Sequence, residues 1–155
     1  MSEVLVGSKA PDFTLPDDQG EALSLSSLAG KAVVLYFYPK DDTPGCTKEA
    51  IGFSESIEAF SDVGAVVIGI SKDTVAKHGK FRDKHELKVR LVSDAESDVT
   101  EQYGAWVEKK MYGKTYMGIE RCTFLIGPDG EVKQVWRKVK VPGHVDAVLE
   151  AVKAL

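Results

Sequence analysis

Cys46 is the side chain of this sequence with the clearest chemical potential. It lies in a loop rich in proline, glycine and threonine, with Thr43 three residues before it and Pro39 at the start of the loop. A cysteine thiolate is a strong nucleophile and a redox centre. Thr43 can bring a hydroxyl back toward the sulfur, or toward an oxygen atom reacting with it, and Pro39 can limit the approach path. Most unpaired cysteines are buried apolar side chains, but Cys46 lies off the apolar stripe of its own segment.

The segments around this loop predict that Cys46 lies at the start of a helix. Residues 33–38 form a continuous apolar run that ends at Pro39, which is typical of a buried strand. From Thr47 to Phe60 the apolar residues follow helical spacing. α/β folds place their chemistry outside the carboxyl ends of such strands. Unpaired N–H groups and the helix dipole favour a thiolate there.

The rest of the chain predicts one α/β domain over residues 1–155, with a mixed central sheet flanked by helices. Short alternating segments at residues 13–15 and 23–25 predict an N-terminal hairpin. A buried strand is expected at residues 65–70 and a helix over residues 75–85. Residues 122–126 and 132–136 enclose a Gly-Pro-Asp-Gly turn, which predicts a second hairpin before the terminal helix.

Composition and charge narrow the function classes. The chain has 155 residues, 43% of them hydrophobic and 28% charged, and a net charge of −4. A weakly acidic balance gives no reason to expect a nucleic-acid partner. No apolar run reaches the length of a membrane span and no signal peptide is recognisable, so a cytoplasmic location is expected. Both cysteines are then expected to be free thiols.

Two weaker signals also lead to expectations. The segment at residues 106–116 interleaves basic and aromatic residues, and we interpret it as a partly ordered loop beside the reactive cysteine. His78, His85 and His144 lack the usual three- or four-residue spacing of helical metal ligands, so we expect exposed or capping histidines and no metal site.

The motif around Cys46 resembles the active-site signature of the peroxiredoxins, in the pattern Pro39-x-x-x-Thr43-x-x-Cys46. The longer text, Phe-Tyr-Pro-Lys followed by Thr-Pro-Gly-Cys-Thr, is similar to the bacterioferritin comigratory protein (Q-type) branch. Agreement extends to Ala-Pro-Asp-Phe at residues 10–13 and Gly-Ile-Glu-Arg-Cys-Thr-Phe-Leu-Ile at residues 118–126. The resemblance covers essentially the whole chain and implies a thioredoxin-like fold.

The resemblance also implies a role for each residue of the motif. Cys46 would be the peroxidatic cysteine and would pass through a sulfenic acid, and Thr43 would hydrogen-bond the peroxide oxygens. Arg121 would stabilise the thiolate and the developing negative charge, and Pro39 would shield the pocket. Glu49 would hold the arginine in place. The implied reaction is reduction of hydrogen peroxide and alkyl hydroperoxides, with no metal or organic cofactor.

The second half of the catalytic cycle departs from the pattern of many relatives. They carry a resolving cysteine five residues after the peroxidatic one, where this chain has Ile51, or in the following helix, where residues 72–88 contain none. Cys122 follows Arg121 in a predicted strand, so the two side chains should face opposite ways. We therefore expect a one-cysteine enzyme, a monomer or weak homodimer, reduced by thioredoxin, glutaredoxin or a small thiol. The alternatives are a Cys46–Cys122 disulfide cycle and a non-catalytic redox-sensing or binding module.

Overall fold

The computed structural model describes residues 4–155. Its strands are β1 (Thr14–Pro16), β2 (Ala22–Ser24), β3 (Ala32–Phe37), β4 (Ala65–Ser71), β5 (Arg90–Ser93), β6 (Trp106–Met111), β7 (Lys114–Ile119), β8 (Cys122–Ile126) and β9 (Val132–Trp136). Its helices are α1 (Pro44–Glu55), α2 (Ile57–Asp62), α3 (Val75–His85), α4 (Val99–Gln102) and α5 (His144–Lys153), and a 3₁₀ turn covers Leu25–Leu28.

A mixed five-stranded sheet in the order β5-β4-β3-β8-β9 organises the molecule. β3, β4 and β5 are parallel to one another, β8 runs antiparallel to β3, and β9 runs antiparallel to β8. All six residues of β3 are buried, because this central strand is covered on both faces. The uninterrupted apolar run in the sequence is the signature of that position. β1 and β2 pair separately as the expected N-terminal hairpin.

Two apolar layers cover the sheet. One contains Tyr36 from β3 with side chains of α1, α2, α3 and α5, among them Phe53, Phe60, Phe81 and Val148. The other contains Phe37 from β3 with side chains of the N-terminal hairpin and of the region around α4. Tyr36 and Phe37 point to opposite faces because side chains alternate along a strand. The longer helices therefore lie on the Tyr36 face.

The first helix begins three residues earlier than its apolar pattern predicts. Pro44 occupies the first helical position and Thr43 is the N-cap residue with extended dihedral angles. Proline fits there because the first N–H groups of a helix have no partner within it. The helical segment is also interrupted at Ser56, which separates α1 from α2. Cys46 consequently lies within the first turn of α1.

Two sequence expectations were wrong. Residues 106–116 do not form a loop: β6 and β7 make an antiparallel hairpin that turns at Tyr112 and Gly113, both with positive φ. His78 is fully buried and His144 is 6% exposed, so these histidines belong to the interior. From residue 4 to residue 155, none of the helices combines the length and apolar character that a membrane crossing requires.

Gly69 packs closely against the Tyr36 ring, whereas Gly79 has more space around it. We therefore predict that substitution by alanine has opposite effects on stability at these two positions. A β-carbon at Gly69 would lie 2.7 Å from Cζ and 2.8 Å from the hydroxyl of Tyr36, so Gly69→Ala should lower the free energy of unfolding by about 1–3 kcal/mol. In α3, a β-carbon at Gly79 would meet only the Asp18 carbonyl oxygen, at 3.5 Å. Gly79→Ala should therefore stabilise the protein by about 0.5–1 kcal/mol.

Urea unfolding of the two variants beside the parent chain measures both effects. A Gly69→Ala protein as stable as the parent would contradict the close packing of Tyr36 against β4.

Candidate active site

The sheet topology brings residues 75 positions apart into one site. β8 runs antiparallel to β3, and Cys122 at its start pairs with Phe37 at the end of β3. Arg121, the residue before β8, therefore lies beside the loop that follows β3. That loop leads into α1 and Cys46, so the guanidinium of Arg121 reaches the thiol from the neighbouring strand.

Cys46 is buried at the N-terminal end of α1. Its side chain is 1% exposed, and Nη2 of Arg121 donates a hydrogen bond to its Sγ at 3.4 Å. The positive end of the helix dipole and the fixed positive charge of arginine act on the same sulfur. Both stabilise negative charge at that position.

Gly45 makes the approach of the guanidinium possible. A β-carbon at this position would lie 3.0 Å from Nη2 of Arg121, which is closer than most real contacts of that kind. The requirement for glycine is steric, since its dihedral angles are ordinary helical ones. Sequence reasoning gave Gly45 no role, although its place next to the reactive cysteine was a signal.

Glu49 holds the other side of Arg121. Its Oε1 accepts a hydrogen bond from Nη1 at 2.7 Å, and its side chain is completely buried. Oε2 has no hydrogen-bond partner among the described residues. Burial raises the pKa of Glu49 to about 7, although Arg121 acts in the opposite direction. Burial lowers the pKa of Arg121, but the charges of Glu49 and Cys46 outweigh it and raise the pKa.

Thr43 and Pro39 lie in the loop between β3 and α1. The Thr43 hydroxyl donates its hydrogen to the Lys40 carbonyl oxygen at 2.8 Å and makes no capping bond to the helix. Its oxygen lone pairs thus stay available to accept a hydrogen bond from another molecule. Pro39 is half-buried, two residues beyond the end of β3.

Lys109 adds a second positively charged side chain near the thiol. Burial and the adjacent Arg121 lower the pKa of Lys109, while Cys46 acts to raise it. Its aliphatic chain runs along β7, where a β-carbon at Gly118 would lie 3.3 Å from Cδ. Sequence reasoning missed Lys109 because residues 106–116 were not expected to be strands. Its placement depends on the β6–β7 hairpin.

Cys122 lies on the far side of the sheet from Cys46. It is buried in the layer that contains Phe37, whereas Cys46 belongs to the layer that contains Tyr36. Burial raises the pKa of Cys122 to about 12, so its thiol is neutral at physiological pH. The alternation of side chains along β8 thus separates the two sulfur atoms by the sheet itself.

One group of side chains has the composition of a metal site. Ligand atoms of Asp41, Asp73 and His78 lie within 4.8 Å of one another. Both oxygens of the Asp41 carboxylate, however, accept hydrogen bonds, one from Tyr38 and one from His78. The Asp41 oxygens that a metal ion would need as ligands are therefore already engaged in hydrogen bonds.

The chain is similar to known proteins over nearly its whole length. Residues 6–135 match the model of the AhpC/TSA family. A Coxiella burnetii protein assigned to the Bcp peroxiredoxins is 58% identical over 93% of this chain and 95% of its own length. Peroxiredoxin Bcp of Bacillus subtilis is 51% identical over 96% of this chain and 94% of its own.

Solved structures show the same fold. The bacterioferritin comigratory protein of Xanthomonas campestris superposes with a TM-score of 0.89 at 43% identity, covering 97% of this chain and 96% of that one. Its structure was determined to study alkyl peroxide reduction.

The raised pKa of Glu49 predicts a pH-dependent stability. Because the folded protein holds this proton more tightly than the unfolded chain, the native state loses stability as pH rises from 4.5 to about 7. Glu49→Gln keeps an oxygen for Arg121 but does not titrate. We expect the stability of the parent relative to the Gln variant to fall across this window, by up to about 3 kcal/mol.

Urea unfolding at several pH values measures this difference. Both chains should carry Cys46→Ser, so that they share an unreactive residue 46 and differ only at position 49. A constant difference between the two chains at all pH values would contradict the assignment to Glu49.

Proposed function

Because the chain belongs to the AhpC/TSA family and is a thiol-dependent peroxidase like its Bcp relatives, we propose that Cys46 is its peroxidatic cysteine. The observation that carries the proposal is the contact of 3.4 Å between Sγ of Cys46 and the Arg121 guanidinium. Cys122 is buried, with its pKa raised to about 12, so it is a poor nucleophile. Cys46 is the chain's other thiol.

In the proposed reaction the Cys46 thiolate attacks one oxygen of the peroxide and the O–O bond breaks. The attacked oxygen stays on sulfur as a sulfenic acid, and the other leaves with the bonding electron pair as hydroxide or alkoxide. A solvent proton converts the leaving oxygen to water or an alcohol. Negative charge moves from sulfur onto oxygen during the step, and Arg121 can stabilise it at both positions.

The proposed role of Thr43 is to orient the peroxide. Its hydroxyl hydrogen is committed to the Lys40 carbonyl, so Oγ1 acts as the acceptor for the O–H of the incoming peroxide. Accepting that hydrogen bond would turn the electrophilic oxygen toward Sγ and gain the rate advantage of fixed geometry. Pro39, half-buried in the same loop, would limit the access of water. Glu49 would hold Arg121 through its bond of 2.7 Å.

We propose hydrogen peroxide and alkyl hydroperoxides as substrates. Alkyl peroxide reduction is the activity studied in the Xanthomonas campestris relative. The reaction needs only the outer O–O–H group of the substrate, which is common to both classes.

We further propose that the sulfenic acid is reduced by an external thiol. Cys122 lies on the opposite face of the sheet, which disfavours the alternative of a Cys46–Cys122 disulfide. An external thiol would displace water from the sulfenic acid to form a mixed disulfide, and a second thiol would then release Cys46. Thioredoxin, glutaredoxin and small thiols can each supply this chemistry. Family membership favours this enzyme over a non-catalytic binding module.

The proposed setting is the cytoplasm, with the protein as a monomer or weak homodimer. Both cysteines are free in the structure, and the proposed cycle needs a compartment that supplies thiols. The exposed large apolar side chains of the β6–β7 hairpin are Met111, Tyr112, Tyr116 and Met117. A set of this size fits a weak contact better than an obligate interface.

Mass analysis of single-cysteine variants tests the cycle. After one equivalent of peroxide, the parent protein and Cys122→Ser should each gain one oxygen at Cys46. Cys46→Ser should gain none and should lose all measurable peroxide consumption. Loss of two hydrogens by the parent, but not by Cys122→Ser, would overturn the one-cysteine cycle.

Substitutions at Arg121 and Thr43 test the two proposed roles. Arg121→Met removes the charge and both hydrogen bonds, so the second-order rate constant for peroxide should fall about 10²-fold or more. Thr43→Val removes the hydroxyl and should cost about 10-fold or more. Thr43→Ser, which retains the hydroxyl, is the matched control.

The rate constants come from stopped-flow measurement of Cys46 oxidation. A Thr43→Val enzyme that matches Thr43→Ser would contradict the role given to Oγ1.

A further inference from the structure

A buried polar cluster lies behind the loop that carries Thr43. It contains Tyr38, Asp41, Ser71, Asp73 and His78 and is called the Asp41 cluster below. His78 is fully buried, and the side chain of Asp41 is 5% exposed. Nδ1 of His78 lies 2.6 Å from Oδ2 of Asp41, and the Tyr38 hydroxyl donates to Oδ1 at 2.6 Å. None of these contacts belongs to the reaction proposed above.

Both ring nitrogens of His78 lie within hydrogen-bond distance of an oxygen atom. Nε2 lies 2.9 Å from the carbonyl oxygen of Val92, which can only accept a hydrogen bond. Nδ1 faces the Asp41 carboxylate, which is also an acceptor when ionised. Contacts at both nitrogens therefore hold the ring in place. Removing the ring would leave buried oxygen atoms without hydrogen-bond partners, which is costly.

Asp41 is held through its backbone as well as its side chain. Its N–H donates to Oδ2 of Asp73 at 2.8 Å, and that oxygen also accepts from the Ser71 hydroxyl at 2.7 Å. Ser71 ends β4 and His78 belongs to α3. Two neighbouring elements thus fix one residue of the loop after β3.

The fixed residue stands next to the groups that would meet the peroxide. Lys40, just before Asp41, supplies the carbonyl that accepts from Thr43, and Thr43 itself is the N-cap residue of α1. A shift of Asp41 would move this carbonyl and with it the direction of the Thr43 hydroxyl. Displacements of about 1 Å can cost about 10²-fold in rate when they affect reacting geometry.

We propose that His78 is a positioning residue for the peroxidase reaction: its contact with Asp41 holds the loop so that Thr43 orients the peroxide toward Cys46. The inference rests on the proposed function and deepens it. The side-chain hydrogen bonds of His78 involve Tyr38, Asp41 and Val92, and not Cys46, Thr43 or Arg121. It acts from α3 through Asp41 and the adjacent Lys40 carbonyl.

The test compares two reactions of Cys46 in His78→Phe, which removes both hydrogen bonds but keeps an aromatic ring. Oxidation by hydrogen peroxide needs alignment by Thr43, whereas alkylation by iodoacetamide needs only an accessible thiolate. We expect the rate constant for peroxide to fall about 10-fold or more, and the rate constant for iodoacetamide to change less than about threefold.

Two further variants complete the design. His85→Phe is the matched control on the same helix: His85 contacts Asp42 at 2.9 Å near the surface, where an ion pair contributes little, so both rates should be unchanged. Asp41→Asn is the conservative variant, because its amide group can still form a hydrogen bond with Nδ1 and its oxygen can still accept from Tyr38. It should keep more of the peroxide rate than His78→Phe.

The outcomes separate the inference from the function on which it rests. No oxidation of Cys46 in the parent protein would overturn the proposed function. Normal oxidation in both the parent and a folded His78→Phe would overturn the inference alone. An equal fall in both rates would also overturn it, because it would indicate lost thiol access rather than lost peroxide alignment. If His78→Phe does not fold, His78→Gln, which can still donate one hydrogen bond to Asp41, undergoes the same comparison.

Discussion

The antiparallel pairing of β3 with β8 is the constraint on which the rest of the site depends. It sets Phe37 opposite Cys122 and brings Arg121 to the loop before α1. A slip of one residue in this register would turn every side chain of β8 to the other face of the sheet. The guanidinium would then leave the thiol, and Cys122 would enter the helical layer. The backbone hydrogen bonds that set the strand register therefore also place Arg121 beside the thiol.

The charges of the site are arranged at some expense to stability. Glu49 is buried with one carboxylate oxygen unpaired, and a buried ion pair is often no more stabilising than apolar packing of the same size. The Glu49–Arg121 pair instead fixes the orientation of the guanidinium. A guanidinium held on one side by a fixed carboxylate presents its remaining donors to the sulfur in one orientation. The Asp41 cluster likewise holds a residue of the loop before α1 through hydrogen bonds between buried groups.

The elements predicted most accurately from the sequence are those in which burial or turn geometry restricts the residue types. The six apolar residues of β3 and the turn between β8 and β9 gave those elements their correct positions, because a covered strand and a tight turn each restrict residue type. The β6–β7 hairpin escaped prediction because most of its side chains face solvent, so no alternation of apolar and polar residues is required.

Contacts between distant segments were harder to predict. No local pattern requires that Arg121 meet Cys46, and the family resemblance supplied that pairing. The sequence predicts an exposed or capping His78, because a buried histidine depends on partners that the sequence does not show. Its spacing of three residues from Phe81, which is also buried, was the signal that could have revealed it.

The sheet between the two sulfur atoms has a consequence for how the protein stores oxidising equivalents. In the proposed one-cysteine cycle, each chain would hold one such equivalent, at Cys46, and would not pass it to Cys122. The lifetime of the oxidised form would then be set by the concentration of thiols around the protein. When peroxide arrives faster than those thiols, the same sulfur is the one exposed to further, irreversible oxidation. Protein turnover, rather than catalytic turnover, would then limit how much peroxide the chain can remove.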